Sequence, residues 1–386
     1  MENFTFHNPT KIIFGKGTEN QVGSELKAVR KVLLHYGEGS IKKSGLYDRV
    51  IKSLQDAQID WVELGGVKPN PLLSLVEKGV QLCRMEKVEA ILAVGGGSVI
   101  DSAKAIAVGV PYAGEVWDFF DKDFQPESAL PIGVILTIAA AGSESSDSAV
   151  VTKEEGWLKR PFSSSLVYPK FAILNPDLTF SLPPYQTACG SADIMAHVLE
   201  RYFTKTGQVD FSDRLCEATL KTMIAFAPRA IANLSDYEAR AEIMWAGAVA
   251  HNGLLGMGRR SDWGSHMIEH EISGIYDIAH GAGLAIVFPA WMQVVYREDV
   301  NRFVQFAVRV WDVPYTYTDP ERIALEGIAR MKAFFRSIGL PVSLADQNIP
   351  ADRLEEMAEK ATRKGTLGSF KQLHQADVLE ILRLAV

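Results

Sequence analysis

Six short runs of β-branched and aliphatic residues, KIIFG (11–15), VLLHYG (32–37), DWVELGGV (60–67), AILAVGG (90–96), PIGVILT (131–137) and FAILNP (171–176), recur along the first half of the chain. Between them, IKKSGLYDRVIKSLQDA, LSLVEKGVQLCRMEK and VIDSAKAIAVGV carry apolar residues at spacings of three and four. Short apolar runs of this kind read as strands, and the longer segments as amphipathic helices. Strand and helix in alternation demand crossover connections, so the pattern predicts a mostly parallel, doubly wound α/β sheet of Rossmann-like type. The runs are apolar at successive positions, as expected of strands covered on both faces by helices. After SLPP (181–184) the texture becomes long and helical, through CGSADIMAHVLERYF, FSDRLCEATLKTMIAFAPRAI, YEARAEIMWAGAVAHNGLLG, GAGLAIVFPAWMQVVYRE and ERIALEGIARMKAFFRSIG. The expected organisation is an α/β domain over 1–184 and an all-helical domain over 185–386. VWDFFDKDFQPES and KEEGWLKR are read as surface connections.

A chain of 386 residues suits two cores, since single cores seldom grow past roughly 250 to 300 residues. Forty basic and 47 acidic residues leave a net charge of -7, which argues against nucleic acid as the main partner. Cys83, Cys189 and Cys216 are few and widely spaced, so neither a disulfide framework nor a Cys-x-x-Cys metal clip is expected. The start MENFTFHNPTKIIFG lacks a basic region followed by an apolar one, and no run of about 18 apolar residues occurs. A cytoplasmic protein with no membrane partner is the expectation.

Five of the eight histidines lie from His197 to His280, among Ala, Leu, Ile and Met. Asp193 and His197 stand four apart, so on a helix both side chains leave one face. His266 and His270 repeat that spacing, and His280 follows in a segment interrupted by Gly274 and Gly281. Asp193, His197, His266 and His280 form a candidate ligand set for one metal. A single histidine on an apolar face is commonly a core residue, but one carboxylate with several imidazoles at helical spacing is a ligand pattern. Such a set suits Zn, Fe or Ni more than Mg or Ca. His251 is read as a core histidine, and Trp263 as either a packing or a pocket residue.

Gly95, Gly96 and Gly97 lie between a buried strand and a helix that begins near Ser98. Backbone without Cβ atoms lets a ligand approach, and a helix N-terminus offers free N–H groups and positive dipole, a setting for a pyrophosphate. Ile100 stands where the third glycine of the G-x-G-x-x-G fingerprint belongs, so an unliganded tight turn is the alternative. Asp101 could compensate the helix dipole or reach a ribose or nicotinamide group. A second glycine-containing turn, HYGEGSIKKSG, places Glu38, Gly39 and Ser40 after a strand end. An acid there accepts from a ribose 2′-hydroxyl and repels a 2′-phosphate, which favours NAD over NADP. Lys42 and Lys43 could reverse that preference. Around Thr137, LTIAAAGSESS supplies a third small-residue loop.

Together these motifs resemble the iron-containing (group III) alcohol dehydrogenases, in particular the butanol dehydrogenase branch, over nearly the whole chain. FHNPTKIIFGKGT, YGEGSIKKSG and GGGSVIDSAK carry part of the likeness. DIMAHVLE and HMIEHEISGIYDIAHGAGLAIVFPAW are its most specific parts. The resemblance implies metal ligation by Asp193, His197, His266 and His280, and a place for His270 beside nicotinamide and substrate. It implies that Gly95, Gly96, Gly97 and Ser98 take the cofactor pyrophosphate, with Asp101, Thr137 and Lys159 nearby. It implies a dinucleotide-binding N-terminal domain, a helical metal domain and an active site in the cleft between them. Two departures stand out. Glu38 occupies a position that is glycine in related chains that look NADP-using, and the loop T-T-x-G-T-G-S-E appears as TIAAAGSE, with Ile138 and Ala141 in place of hydroxyl side chains.

The implied chemistry is reversible hydride transfer between a primary aliphatic alcohol and NAD(H), with a divalent metal, Fe2+ before Zn2+, acting on the substrate oxygen. Imidazole and carboxylate ligation does not separate the two metals. His270 is the candidate proton relay or an orienting group. Rival readings are a polyol-phosphate dehydrogenase or dehydroquinate-synthase-like enzyme, for which Arg259 and Arg260 would supply phosphate-binding charge, and a noncatalytic nucleotide-binding module. An exposed N-terminal strand FTFHN could pair across a two-fold axis, giving a homodimer.

Overall fold

The computed structural model describes residues 1–122 and 124–386. The chain folds as two compact units. The sheet unit holds His7–Leu182 and Leu234–Ala248; the helical unit holds Met1–Phe6, Pro183–Asn233 and Val249–Val386. Two segments depart from a single cut near residue 184. The first six residues belong with the helices, and the segment Leu234–Ala248, read above as part of the helical domain, belongs with the sheet.

In the sheet unit six strands, β1 (Lys11–Phe14), β2 (Lys31–Gly37), β3 (Asp60–Val67), β4 (Ala90–Gly95), β5 (Ile132–Leu136) and β8 (Phe171–Leu174), form one sheet in the order β1-β8-β5-β4-β2-β3. All five pairings are parallel. Each of the six apolar runs is one of these strands. Alternate residues face two separate cores. Leu33, Ile91, Ala93, Val134 and Leu136 enter one, with the helices Leu73–Glu86 and Gly97–Gly109. Val32, Leu34, Leu92, Val94 and Ile135 enter the other, with Leu46–Asp56. At roughly 25 cal/mol per Å2 of apolar surface removed from water, burial on both faces is what commits these runs to the sheet interior.

The two segments read as surface connections are structured. KEEGWLKR (153–160) is the turn end of a hairpin, β6 (Ser148–Lys153) with β7 (Leu158–Ser163), paired antiparallel from Ser148↔Ser163 to Lys153↔Leu158. The turn is closed by Gly156 and Trp157, both at positive φ (79° and 50°). In the other segment, whose position 123 lies outside the described residues, Trp117, Phe119 and Phe120 are buried around a short helix, Asp118–Asp121. Charge density made both look like loops, while burial of their alternating or aromatic residues decides their structure. Residues 1–10 form neither strand nor helix, which corrects the expected FTFHN strand. Glu2 N instead donates to Gly258 O at 2.9 Å.

The helical unit is built on Pro184–Tyr202, Asp210–Ala232, Gly264–Tyr276, His280–Val295, Val300–Trp311 and Pro320–Ser337. Pro184 sits in the first turn, where its missing N–H costs no hydrogen bond. Between the helices carrying His266 and His280, Asp277 adopts φ 51°. This left-handed residue ends the first helix and lets the second begin at His280.

Candidate functional site

The helix Pro184–Tyr202 carries Asp193 and His197 one turn apart, and all but its first residues are buried. His280 opens the helix His280–Val295, and Gly281 explains how it comes so close. A Cβ at Gly281 would lie 1.9 Å from Cys189 O, so the two helices meet backbone against backbone. His266 arrives from the helix Gly264–Tyr276. Ligand atoms of Asp193, His266 and His280 all lie within 4.8 Å of one another. His197 falls outside that trio, but its ring centroid is 4.7 Å from that of His266 and its Nδ1 is 2.9 Å from Asp193 Oδ1.

Each imidazole is braced through Nδ1. His197 Nδ1 donates to Asp193 O (2.9 Å), His266 Nδ1 is 2.6 Å from Glu200 Oε1, and His280 Nδ1 bonds Glu269 Oε2. Nε2 is therefore the atom each presents to a metal. Glu200 is held in turn by Ser265 Oγ at 2.5 Å and by the Trp263 and His266 amides at 2.5 and 3.2 Å. These carboxylates are what fix ring orientation and basicity in metal sites. Glu200 and Glu269 escaped the sequence reading, although each follows a candidate ligand by three residues in an apolar helix, where an unpaired carboxylate is costly.

His266 Nε2 is buried without a hydrogen-bond partner, and the buried Asp193 Oδ1 has the His197 and His280 imidazoles at 2.9 and 3.9 Å. Burial pushes the Asp193 carboxyl up, but the imidazoles of His197 and His280 outweigh it and pull it down to about 2. Burial, with the neighbouring His197 and His280, holds His266 well below the ordinary imidazole range. An ionised carboxylate beside neutral imidazole, with a buried lone pair left over, is the protonation state a divalent transition metal requires. The residues present fit such an ion.

His270 is buried one turn beyond His266, its ring centroid 5.6 Å from that of His280, and it forms a second close group with Glu269 and His280. His251, read as a core histidine, is only part-buried and stands edge-on to His197 at 4.4 Å, with Arg201 Nη2 3.0 Å from its Nδ1. Trp263 flanks the same rings, 5.1 Å from His266 and 5.9 Å from His197, in a left-handed conformation (φ 69°). Arg259 is buried against Asp213 (2.9 Å) and the carbonyls of Arg201 and Val209, while Arg260 pairs with Glu2 at 3.2 Å. Both cations are committed elsewhere than at the imidazole cluster.

In the sheet unit, the glycine turn after β4 and the turn after β2 lie at the carboxyl ends of neighbouring strands, with Tyr36 opposite Val94. Open α/β sheets bind ligands there. The helix Gly97–Gly109 begins within the turn, with Ser98 in its first turn. A Cβ on Gly96 would lie 2.0 Å from Ile138 Cγ2, and one on Gly97 3.2 Å from Ala141 Cβ. The two positions where hydroxyl side chains are replaced are thus the ones packed on the glycine turn. Thr137 N donates to Gly95 O (3.0 Å).

Asp101 accepts from Ser143 Oγ (2.6 Å) and Val150 N (3.0 Å). Burial raises its carboxyl, opposed by the charges of Lys104 and Lys159. Lys159 is buried on β7, opposite Thr152. Lys104, fully buried, donates to Ser143 O, Ser146 O and Ser148 O at 2.7, 2.9 and 2.8 Å, which knits the loop after Gly142 to the helix. Glu38 is exposed just past β2, beside Gly39 and Ser40.

Residues 9–176 match the family model "Iron-containing alcohol dehydrogenase", and residues 187–386 match "Fe-containing alcohol dehydrogenase family, C-terminal". The chain belongs to the iron-containing alcohol dehydrogenases. It is 48% identical, over all of both chains, to the probable NADH-dependent butanol dehydrogenase 1 of Bacillus subtilis (strain 168). It is 38% identical to the NADPH-dependent aldehyde reductase YqhD of Escherichia coli (strain K12), over 95% of this chain and 94% of that one. Among solved structures it superposes on the NADH-dependent butanol dehydrogenase A of Thermotoga maritima with a TM-score of 0.97 and 45% identity, covering 100% and 99% of the two chains. The parallel sheet and the helical unit described above are thus the architecture of this family.

Proposed function

We propose that this family member is an NADH-linked, metal-dependent dehydrogenase that interconverts primary aliphatic alcohols of butanol type with their aldehydes. The observation that carries the reading is the convergence of Asp193, His266 and His280, braced by Glu200 and Glu269, with an orphaned lone pair on His266 Nε2. His197, one turn from Asp193, is the fourth ligand of the set. The bound ion, Fe2+ by family and Zn2+ by the same donor chemistry, supplies Lewis acidity toward the substrate oxygen.

The chain's own residues do the rest. Glu200 and Glu269 keep Nε2 of His266 and His280 turned toward the ion by accepting from Nδ1–H of each ring. His270, adjacent to His280, is the group proposed to relay a proton, since imidazole alone titrates near neutral pH without heavy perturbation. Gly95, Gly96, Gly97 and Ser98 are proposed to receive the cofactor pyrophosphate. Asp101, Thr137 and Lys159 are proposed to contact the remainder of the dinucleotide.

NADH is favoured over NADPH by Glu38, exposed at the end of β2, whose carboxylate would accept from a ribose 2′-hydroxyl and repel a 2′-phosphate. Two of the relatives named above carry NADH in their names. The burial of Arg259 against Asp213 also supports an uncharged substrate over a phosphorylated one.

A homodimer is proposed as well. Among the described residues strand β1 pairs only with β8, so one side of the sheet is an open edge. Beside it Phe14 and Trp245, 41% and 49% exposed, line an apolar recess of about 500 Å3. Sedimentation of a single 42.5 kDa species would refute it. A cytoplasmic location is proposed from the three buried, unpaired cysteines, which suit a reducing compartment. Among the described residues no helix is long and apolar enough to cross a membrane.

The direct test is NADH oxidation by the metal-loaded protein with butanal as substrate. Turnover with butanal supports the reading. Its absence from protein that holds stoichiometric metal and binds NADH refutes it.

A further inference from the structure

Beside the β2 turn a second carboxylate gathers a cluster that the reaction does not use. Glu63, on β3, accepts from Tyr36 Oη at 2.8 Å, from Lys42 Nζ at 3.3 Å and from Tyr47 Oη. The Lys42 ammonium lies 5.1 Å from the Tyr36 ring centroid and 4.6 Å from that of Tyr47, and the two rings meet edge-on at 6.3 Å. Partial burial raises the Glu63 carboxyl, but the two phenols and Lys42 outweigh it, so it stays below the usual carboxylate range and ionised at neutral pH. A half-exposed ion pair of this kind adds little to stability. Its consequence is directional: one anion and two aromatic faces fix where a flexible cation points.

Lys42 lies four residues after Glu38, in the short helix Ser40–Lys43 that follows the turn. A 2′-phosphate at the end of β2 would draw on nearby cations, because a charge-assisted Lys–phosphate contact is among the stronger hydrogen bonds. Lys42 and Lys43 are the two cations this turn carries. We propose that Glu63 is a cofactor-specificity residue, which with Tyr36 and Tyr47 holds Lys42 in a closed cluster and withholds it from a ribose 2′-phosphate. Discrimination against NADPH then has two parts, direct repulsion by Glu38 and capture of Lys42 by Glu63. This inference rests on the NADH reading above.

The test titrates NADPH and NADH by calorimetry into the wild type, Glu63→Gln, Lys42→Met and the double variant Glu63→Gln/Lys42→Met, alongside kcat/KM for both cofactors. Glu63→Gln is expected to tighten NADPH relative to NADH about tenfold, the scale of one charge-assisted hydrogen bond, with NADH affinity constant within about twofold. The gain should vanish in the double variant. Equal weakening toward both cofactors in Glu63→Gln makes the cluster merely structural and overturns the proposal. So does a gain that survives Lys42→Met. A wild type that binds neither dinucleotide overturns the NADH reading and this inference together, whereas NADH binding with an unchanged ratio in Glu63→Gln overturns this inference alone.

Discussion

Glu200 Oε1 stands 2.6 Å from His266 Nδ1, both side chains buried, and the same carboxylate oxygen accepts from Ser265 Oγ. One turn of helix separates Glu200 from His197, so a single helical face supplies two proposed ligands and the brace for a third. The neutral isostere Glu200→Gln keeps the volume but weakens the pull on Nδ1–H. Loss of such a brace typically costs about 10- to 100-fold in metal affinity. Competition against a chelator should show that drop, and unchanged affinity would remove Glu200 from the site.

Gly281→Ala is expected to be far more damaging than an ordinary helix substitution to alanine. The new methyl group would meet Cys189 O at 1.9 Å, so the helix bearing His280 must move away from the one bearing Asp193. Overpacking of this kind costs about 1–3 kcal/mol. Thermal unfolding should report a lower Tm for the metal-free variant and a smaller rise on adding metal. A variant with wild-type values of both would mean that the close approach is not needed.

His270→Ala should slow turnover more than it reduces metal content. The side chain stands next to His280 without being one of the four proposed ligands. Metal analysis and kcat measured on the same sample separate a proton relay from a structural residue, since the latter loses both in proportion.

Glu38→Gly should raise the ratio of kcat/KM for NADPH over NADH, as the exposed carboxylate at the end of β2 is removed and with it the repulsion of a 2′-phosphate. An unchanged ratio would refute its role at the ribose.

His35 gives the protein an acid-sensitive core. It is fully buried between Leu64 O (2.8 Å from Nδ1) and Ser102 Oγ (2.8 Å from Nε2), and burial lowers it to about 4, with the Leu64 carbonyl opposing. Between pH 6.5 and 4 the unfolded chain binds a proton that the folded chain refuses. Stability from this group is therefore intact above the unfolded value and is lost as pH falls through that window, by up to about 3 kcal/mol. Urea unfolding at about pH 4.5 and about pH 7, on either side of most of that window, should show a smaller pH effect for His35→Gln than for the wild type. Equal pH effects would refute the assignment.

The legible part of the molecule was whatever repeats. Six apolar runs dictated the parallel sheet, because strands buried on both faces leave a strong local signal. Asp193 with His197 and His266 with His270 were visible because a helix turns spacing into proximity. What escaped was set by tertiary contact. The β6–β7 hairpin hid behind Glu154 and Glu155 at its turn. The FTFHN segment reads as a strand by residue type, yet Glu2, two residues before it, bonds to Gly258, far along the chain. Glu200 and Glu269 gave no signal of their own, because only the fold buries them against imidazoles, and Glu63 read as a strand residue until Tyr36, Tyr47 and Lys42 closed on it.

One divalent ion on Asp193, His197, His266 and His280 is proposed to make this chain an NADH-linked alcohol dehydrogenase. This is tested most directly by butanal reduction with NADH, using metal-stripped wild type and His280→Ala before and after adding Fe(II) or Zn(II) under nitrogen. Negligible activity is expected in both stripped proteins, with recovery by the wild type on one equivalent of metal and no comparable recovery by the folded variant. Full activity without metal, or full activity and stoichiometric metal in His280→Ala, would contradict it.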